Sequence, residues 1–262
     1  MSCCPPDSLP YLKSDASHSG ECKTIERGVE FYQVGSGSGS GKAVLILPDV
    51  WGWDSGRVRA LADHFSKEMD ALVVIPKLLS EPAFEEGTSG DALPPDFDMP
   101  RRRDEFAEWM KTSHPFSKQE PKLQSLVTYL DSKCSKMYVI GICWGAYCAY
   151  KLGGIESLRS KCVAMATPHP SVGAAEGLFG EETLDVVKAN PIPALFLPAG
   201  NDSDDYRDPG GTILINAAKG SEVCDFPAMK HGFFTRGNAD DDAVAKDVQK
   251  AVEAILAFFL KF

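Results

Sequence analysis

The chain has 262 residues, 44% hydrophobic and 24% charged, with a net charge of −10. That is enough apolar material for a buried core without disulfide or metal support, so disordered, collagen-like and coiled-coil readings fall away. The acidic balance argues against a nucleic-acid partner, and apolar runs such as Ala43–Leu47 fall well short of the ~18 residues that a membrane span needs.

Residues 1–24 are rich in Ser, Pro and polar side chains and read as an N-terminal arm. The opening Met1-Ser2-Cys3-Cys4-Pro5-Pro6 lacks the basic and apolar regions of a secretory signal, so the cytoplasm is the expected compartment. The 8 cysteines contain no C-x-x-C spacing. In a reducing compartment most of them read as small buried hydrophobes, and Cys3-Cys4 is expected in a disordered tail.

Val29–Val34 reads as a strand. Gly35–Gly41 alternates Gly and Ser and reads as a long hairpin loop, without the ending of a phosphate cradle. From Lys42 onward apolar β-type runs alternate with helical patterns. Strands are expected at Ala43–Leu47, Ala71–Ile75, Met137–Ile142, Cys162–Ala166, Ala194–Pro198 and Glu222–Phe226. Helices are expected at Arg57–Met69, Arg103–Thr112, Lys118–Asp131, Trp144–Leu152, Glu181–Lys188, Gly211–Lys219 and Asp242–Phe259. Residues 80–100 hold several prolines, glycines and acids and read as a loop or lid, and Arg101-Arg102-Arg103 reads as a solvated helix start.

Strands apolar on both faces and separated by helices indicate a mostly parallel sheet with helices on both faces. One α/β domain is expected over residues 25–262. Ligands of such sheets sit at the carboxyl ends of the strands, so reactive residues are sought just after strand ends.

After the strand Met137–Ile142 comes Gly141-Ile142-Cys143-Trp144-Gly145, then a helical run. This G-x-C-x-G pattern is a nucleophile elbow with Cys in place of Ser. Small residues at 141 and 145 let strand and helix approach, and the turn lifts Cys143 above the sheet. A cysteine nucleophile needs a base, and the base needs an orienting acid. The chain order nucleophile, acid, histidine selects His231 in Lys230-His231-Gly232-Phe233, while His169 in Pro168-His169-Pro170 reads as a loop histidine or pocket wall. Asp202, in Gly200-Asn201-Asp202-Ser203, is the candidate acid, with Asp204, Asp205 and Asp208 as competitors. The acidic cluster lacks the pattern of a calcium loop, and no metal is expected. Oxyanion donors are expected from the backbone N–H of Trp144 and of Val50, the latter in Pro48-Asp49-Val50-Trp51-Gly52.

On these motifs, together with His231-Gly232-Phe233, the chain resembles the dienelactone hydrolase (carboxymethylenebutenolidase) family of α/β-hydrolases across most of residues 25–260. The resemblance implies an α/β-hydrolase fold and a Cys143–His231–Asp202 triad that opens an ester or lactone through an acyl-thioester. It implies that Asp49 pairs with the resting nucleophile and helps activate it, although Asp49 also reads as a helix cap. It implies that Arg236 holds a substrate carboxylate, with one of Arg101–Arg103 as a second arginine. No cofactor is expected. The partner is a small-molecule ester or lactone, the state monomeric or homodimeric. The alternatives are a general carboxylesterase or thioesterase with another substrate, and a non-hydrolytic redox-sensing or ligand-binding protein.

Overall fold

The computed structural model describes residues 4–5, 7–12, 17–25, 28–79, 84–85 and 92–262. Eight strands are described: β1 Glu21–Ile25, β2 Val29–Val34, β3 Lys42–Leu47, β4 Ala71–Pro76, β5 Lys136–Gly141, β6 Cys162–Pro168, β7 Ala194–Leu197 and β8 Glu222–Val223. They form one sheet in the order β1-β2-β4-β3-β5-β6-β7-β8. β1 pairs antiparallel with β2, and β2 antiparallel with β4. Every other pairing is parallel.

All six residues of β4 are buried, as are five of six in both β3 and β5. Successive side chains of a strand point to opposite faces, so burial at every position means that both faces are covered. The cover comes from helices α1 Val58–Met69, α2 Arg103–Ser113, α3 Phe116–Asp131, α4 Trp144–Gly154, α5 Ala174–Phe179, α6 Thr183–Ala189, α7 Thr212–Asn216, α8 Phe233–Arg236 and α9 Asp242–Phe259. α1 buries Val58, Leu61, Ala62, Phe65 and Met69 along one face and ends where Asp70 turns left-handed. α9 has the bounds expected of it. The Asp241 side chain caps it by accepting from Ala243 N–H, and Val252, Ile255 and Phe259 go to the core.

Several expectations are corrected. Residues 21–24 are not part of a loose arm: β1 begins at Glu21, in register with β2. Its side chains are all exposed or half-exposed, which leaves no apolar stripe to read. The Gly/Ser stretch 35–41 is not a hairpin loop, because β2 and β3 are not neighbours; β4 lies between them. Composition marks a connection but cannot say which strands it joins. The strand expected at 222–226 shortens to β8 plus a bridge from Ala199 to Phe226. The helix expected at 181–188 is preceded by a separate one, α5, closed by Gly180 at φ 66°. Of the expected lid, residues 80–83 and 86–91 lie outside the described residues, and Cys3 does too. Arg102 pairs with Glu85 and Glu105 at the exposed start of α2, the expected solvated helix start.

Candidate active site

The site forms at the carboxyl ends of the parallel strands. β5 ends at Gly141, α4 starts at Trp144, and between them Cys143 has φ 53° and ψ −117°. This is backbone that L-residues rarely adopt, at a cost of order 1–3 kcal/mol carried by the surrounding packing. The flanking glycines allow it. A Cβ on Gly145 would lie 2.1 Å from the Leu47 carbonyl oxygen, and one on Gly141 would lie 2.6 Å from that of Gly145. Cys143 is fully buried. Its N–H donates to the Pro168 carbonyl (3.3 Å) and its carbonyl accepts from Ser171 N–H (3.1 Å), which ties the elbow to the end of β6.

Asp202 and His231 come from the loops that follow β7 and β8. The two loops are sewn together: Gly200 N–H donates to the Met229 carbonyl (2.8 Å), and His231 N–H donates to Asn201 Oδ1 (2.7 Å). His231 Nδ1 then lies 2.6 Å from Asp202 Oδ1, with both side chains buried. Asp202 Oδ2 accepts from Ala199 N–H (2.7 Å), which fixes the carboxylate. Asp204 and Asp205, the competing acids, lie on the exposed turn beyond. Burial alone would depress the His231 pKa. The charges of Asp202 and Cys143 outweigh it and hold the imidazole well above its usual value. With Nδ1 on Asp202, Nε2 is the nitrogen left for proton transfer.

The other expected residues are placed as follows. Trp144 opens α4, so its N–H has no intrahelical acceptor. Val50 is buried in the turn after β3, which closes as Gly52 N–H donates to the Asp49 carbonyl (3.1 Å). Asp49 is not a cap of α1, which begins nine residues later without a side-chain cap. Its Oδ1 accepts from Trp51 N–H (2.9 Å) and its Oδ2 from Thr235 Oγ1 (3.0 Å) and from Arg236 Nη1. Arg236 is buried. Its Nε donates to the Leu9 carbonyl (3.2 Å), and its Nη2 is buried with no hydrogen-bond partner among the described residues.

Three further residues join the site: His169, which also read as a pocket wall, and Ser171 and Cys4, which sequence reasoning did not place there. His169 follows β6 at φ 36°, and its ring meets that of His231 edge-on at 4.7 Å. Burial pushes its pKa down, against a smaller upward pull from Cys143. Ser171 Oγ lies 3.6 Å from Cys143 Sγ. Most unexpectedly, Cys4 is buried, with Sγ 3.8 Å from Cys143 Sγ. The segment that carries it is fastened to the site. Leu9 N–H donates to the His231 carbonyl (2.9 Å), Gly56 N–H donates to the Leu12 carbonyl (2.9 Å), and Tyr11 packs against Trp51 at 5.9 Å. Cys4 also lines a cavity of about 480 Å³ bounded by Leu9, Trp51, Phe97, Met99 and Arg103, and so stands between that cavity and Cys143. The only sequence signal was the pair of cysteines itself.

The profile of the dienelactone hydrolase family matches residues 29–262. The chain belongs to the dienelactone hydrolase family. A carboxymethylenebutenolidase homolog from Rattus norvegicus is 24% identical over 221 residues, covering 81% of this chain and 78% of its own. One from Xenopus tropicalis is 23% identical over 237 residues, covering 86% and 84%. A solved structure of a dienelactone hydrolase-like protein from Klebsiella pneumoniae superposes with a TM-score of 0.69 at 16% identity, over 94% of this chain and 100% of its own. At that identity the likeness concerns the α/β-hydrolase fold. Membership in the dienelactone hydrolase family places the chain among hydrolases of esters and lactones. Among the described residues, no helix is long and apolar enough to cross a membrane.

Proposed function

We propose that the protein hydrolyses a small ester or lactone by covalent catalysis, with Cys143 as nucleophile, His231 as base and Asp202 as the group that orients it. The observation that carries this reading is the elbow, where strained Cys143 sits beside a histidine already tied to a carboxylate at 2.6 Å. Cys143 sulfur attacks the carbonyl carbon and His231 Nε2 manages the proton. The N–H groups of Val50 and Trp144 hold the oxyanion. The alcohol oxygen leaves with the proton, and the acyl group stays on sulfur. Water, deprotonated by His231, then cleaves the thioester and restores the thiol. Thiolate is a good leaving group, which favours activated esters and lactones over amides.

Arg236 is assigned to a substrate carboxylate through its Nη2, the one guanidinium nitrogen that neither Asp49 nor Leu9 uses. Asp49 is assigned to the activation of Cys143 by a shift of its carboxylate away from Arg236 when a substrate anion takes up the arginine. The test compares cis- and trans-dienelactone with p-nitrophenyl acetate, in the parent chain and in Cys143→Ala. Loss of several orders of magnitude on both substrate types supports nucleophile and substrate class together. A parent chain that turns over the acetate ester but not the dienelactones, with that turnover lost in Cys143→Ala, keeps the nucleophile and replaces the dienelactone by another carboxylic ester. Turnover that survives in Cys143→Ala overturns the reading.

A further inference from the structure

Cys4, Cys143 and His231 bring together two sulfurs and an imidazole nitrogen, all buried and all within 4.8 Å of one another. A disulfide would need the sulfurs at about 2.05 Å; they stand 3.8 Å apart. That separation matches another chemistry. A tetrahedral Zn²⁺ holds thiolate sulfur at about 2.3 Å, which sets two such sulfurs about 3.8 Å from each other. The outer shell is also in place. Asp202 holds His231 Nδ1 at 2.6 Å and so directs Nε2 inward, the carboxylate–histidine arrangement that supports metal-bound imidazoles. Two thiolates and a neutral imidazole around a dication sum to zero charge, which suits a buried site.

The geometry points to a Cys4–Cys143–His231 site for a soft divalent metal ion, Zn²⁺ or Cd²⁺, whose occupation blocks the nucleophile. Binding takes one proton from the Cys4 thiol and one from the Cys143–His231 pair, and forms two metal–sulfur bonds and one metal–nitrogen bond. Two protons leave to solvent and no electrons move. A small ligand such as water would complete the fourth position. That binding removes hydrolytic activity rests on the reading of Cys143 as nucleophile; the binding itself does not.

The probe is Cd²⁺ titrated into the full chain under a phosphine reductant, read by the ultraviolet thiolate-to-metal charge-transfer band. One ion per chain and a band of two-thiolate intensity are expected. Cys4→Ser and Cys4→Ala should halve the band and weaken binding by more than the 10–100-fold that loss of an outer-shell partner costs. Asp202→Asn should weaken it by roughly that 10–100-fold. Cys3→Ser, Cys22→Ser and Cys224→Ser should leave it unchanged. Unfolding temperatures of the Cys4 variants close to the parent's exclude misfolding as the cause. Undiminished affinity in both Cys4 variants, or loss in any of the other three, overturns the site. Ester turnover should fall in proportion to occupancy and return with a chelator. A band that forms with turnover untouched leaves the site standing and removes Cys143 from the role of nucleophile instead.

Discussion

Arg236 and Asp49, 187 positions apart in sequence, form a buried ion pair beneath the turn after β3. Neither side chain reaches water, so each neutralises a charge that the interior would not otherwise hold. Removal of one partner alone should therefore cost more than removal of both. Arg236→Ala is expected to destabilise by about 3–5 kcal/mol, and Arg236→Met combined with Asp49→Asn by clearly less. Urea unfolding of the three chains checks this. A loss in the double variant larger than that of Arg236→Ala would refute the expectation.

Asp202→Asn keeps the shape of the side chain and removes its charge. His231 then loses the carboxylate that holds its pKa up and selects the tautomer. Turnover should fall by roughly 10³–10⁴-fold, with KM little altered, since the binding surfaces are untouched. Steady-state kinetics on an activated ester measure the split. A large rise in KM at constant kcat would argue that Asp202 serves only to build the pocket.

His169 gives a pH dependence of known sign. Its pKa in the folded chain is depressed below the unfolded value of about 6.5. The unfolded chain therefore binds a proton that the folded chain resists, and stability falls as pH drops from about 6.5 through the folded pKa. His169→Asn removes this titration and tolerates the positive φ. Whatever the variant's stability at pH 8, its deficit should shrink, or turn to a surplus, as pH falls below about 6.5. Denaturant midpoints from pH 8 to pH 5 test it, and parallel curves would refute it.

Gly145→Ala places a methyl 2.1 Å from the Leu47 carbonyl oxygen, which is backbone in the central strand and cannot step aside. A loss of at least about 1–3 kcal/mol is expected, together with lower turnover as the elbow shifts. Gly173→Ala, where a Cβ meets nothing within 4 Å, is the control and should be near neutral.

The elbow, the acid and the histidine were legible because local chemistry forces their neighbours: small residues must flank Cys143, and strand ends must precede Asp202 and His231. The alternation of apolar runs gave the sheet for the same reason. Strand neighbours were not legible from the Gly/Ser stretch, because a loop's composition does not encode which strands it joins. Cys4 was not legible because nothing near it is periodic. Its burial depends on a segment that docks through main-chain groups of Leu9 and Leu12 and the ring of Tyr11, which form no periodic pattern. Arg236 read as a ligand for substrate, and its partnership with Asp49 could emerge only once α8 was set beside the turn after β3.

The docking of Leu9 on the His231 carbonyl has a practical consequence. Any tag or fused partner joined ahead of Cys4 pulls on a segment that is hooked to the loop bearing His231, so its tension reaches the candidate site. The other end of the chain is mechanically remote. The Phe262 carbonyl accepts from the ammonium of Lys136, which opens β5 at the end of the strand away from Cys143. Fusions, surface immobilisation and reporter dyes belong there, where a load meets the base of the sheet and leaves the elbow alone.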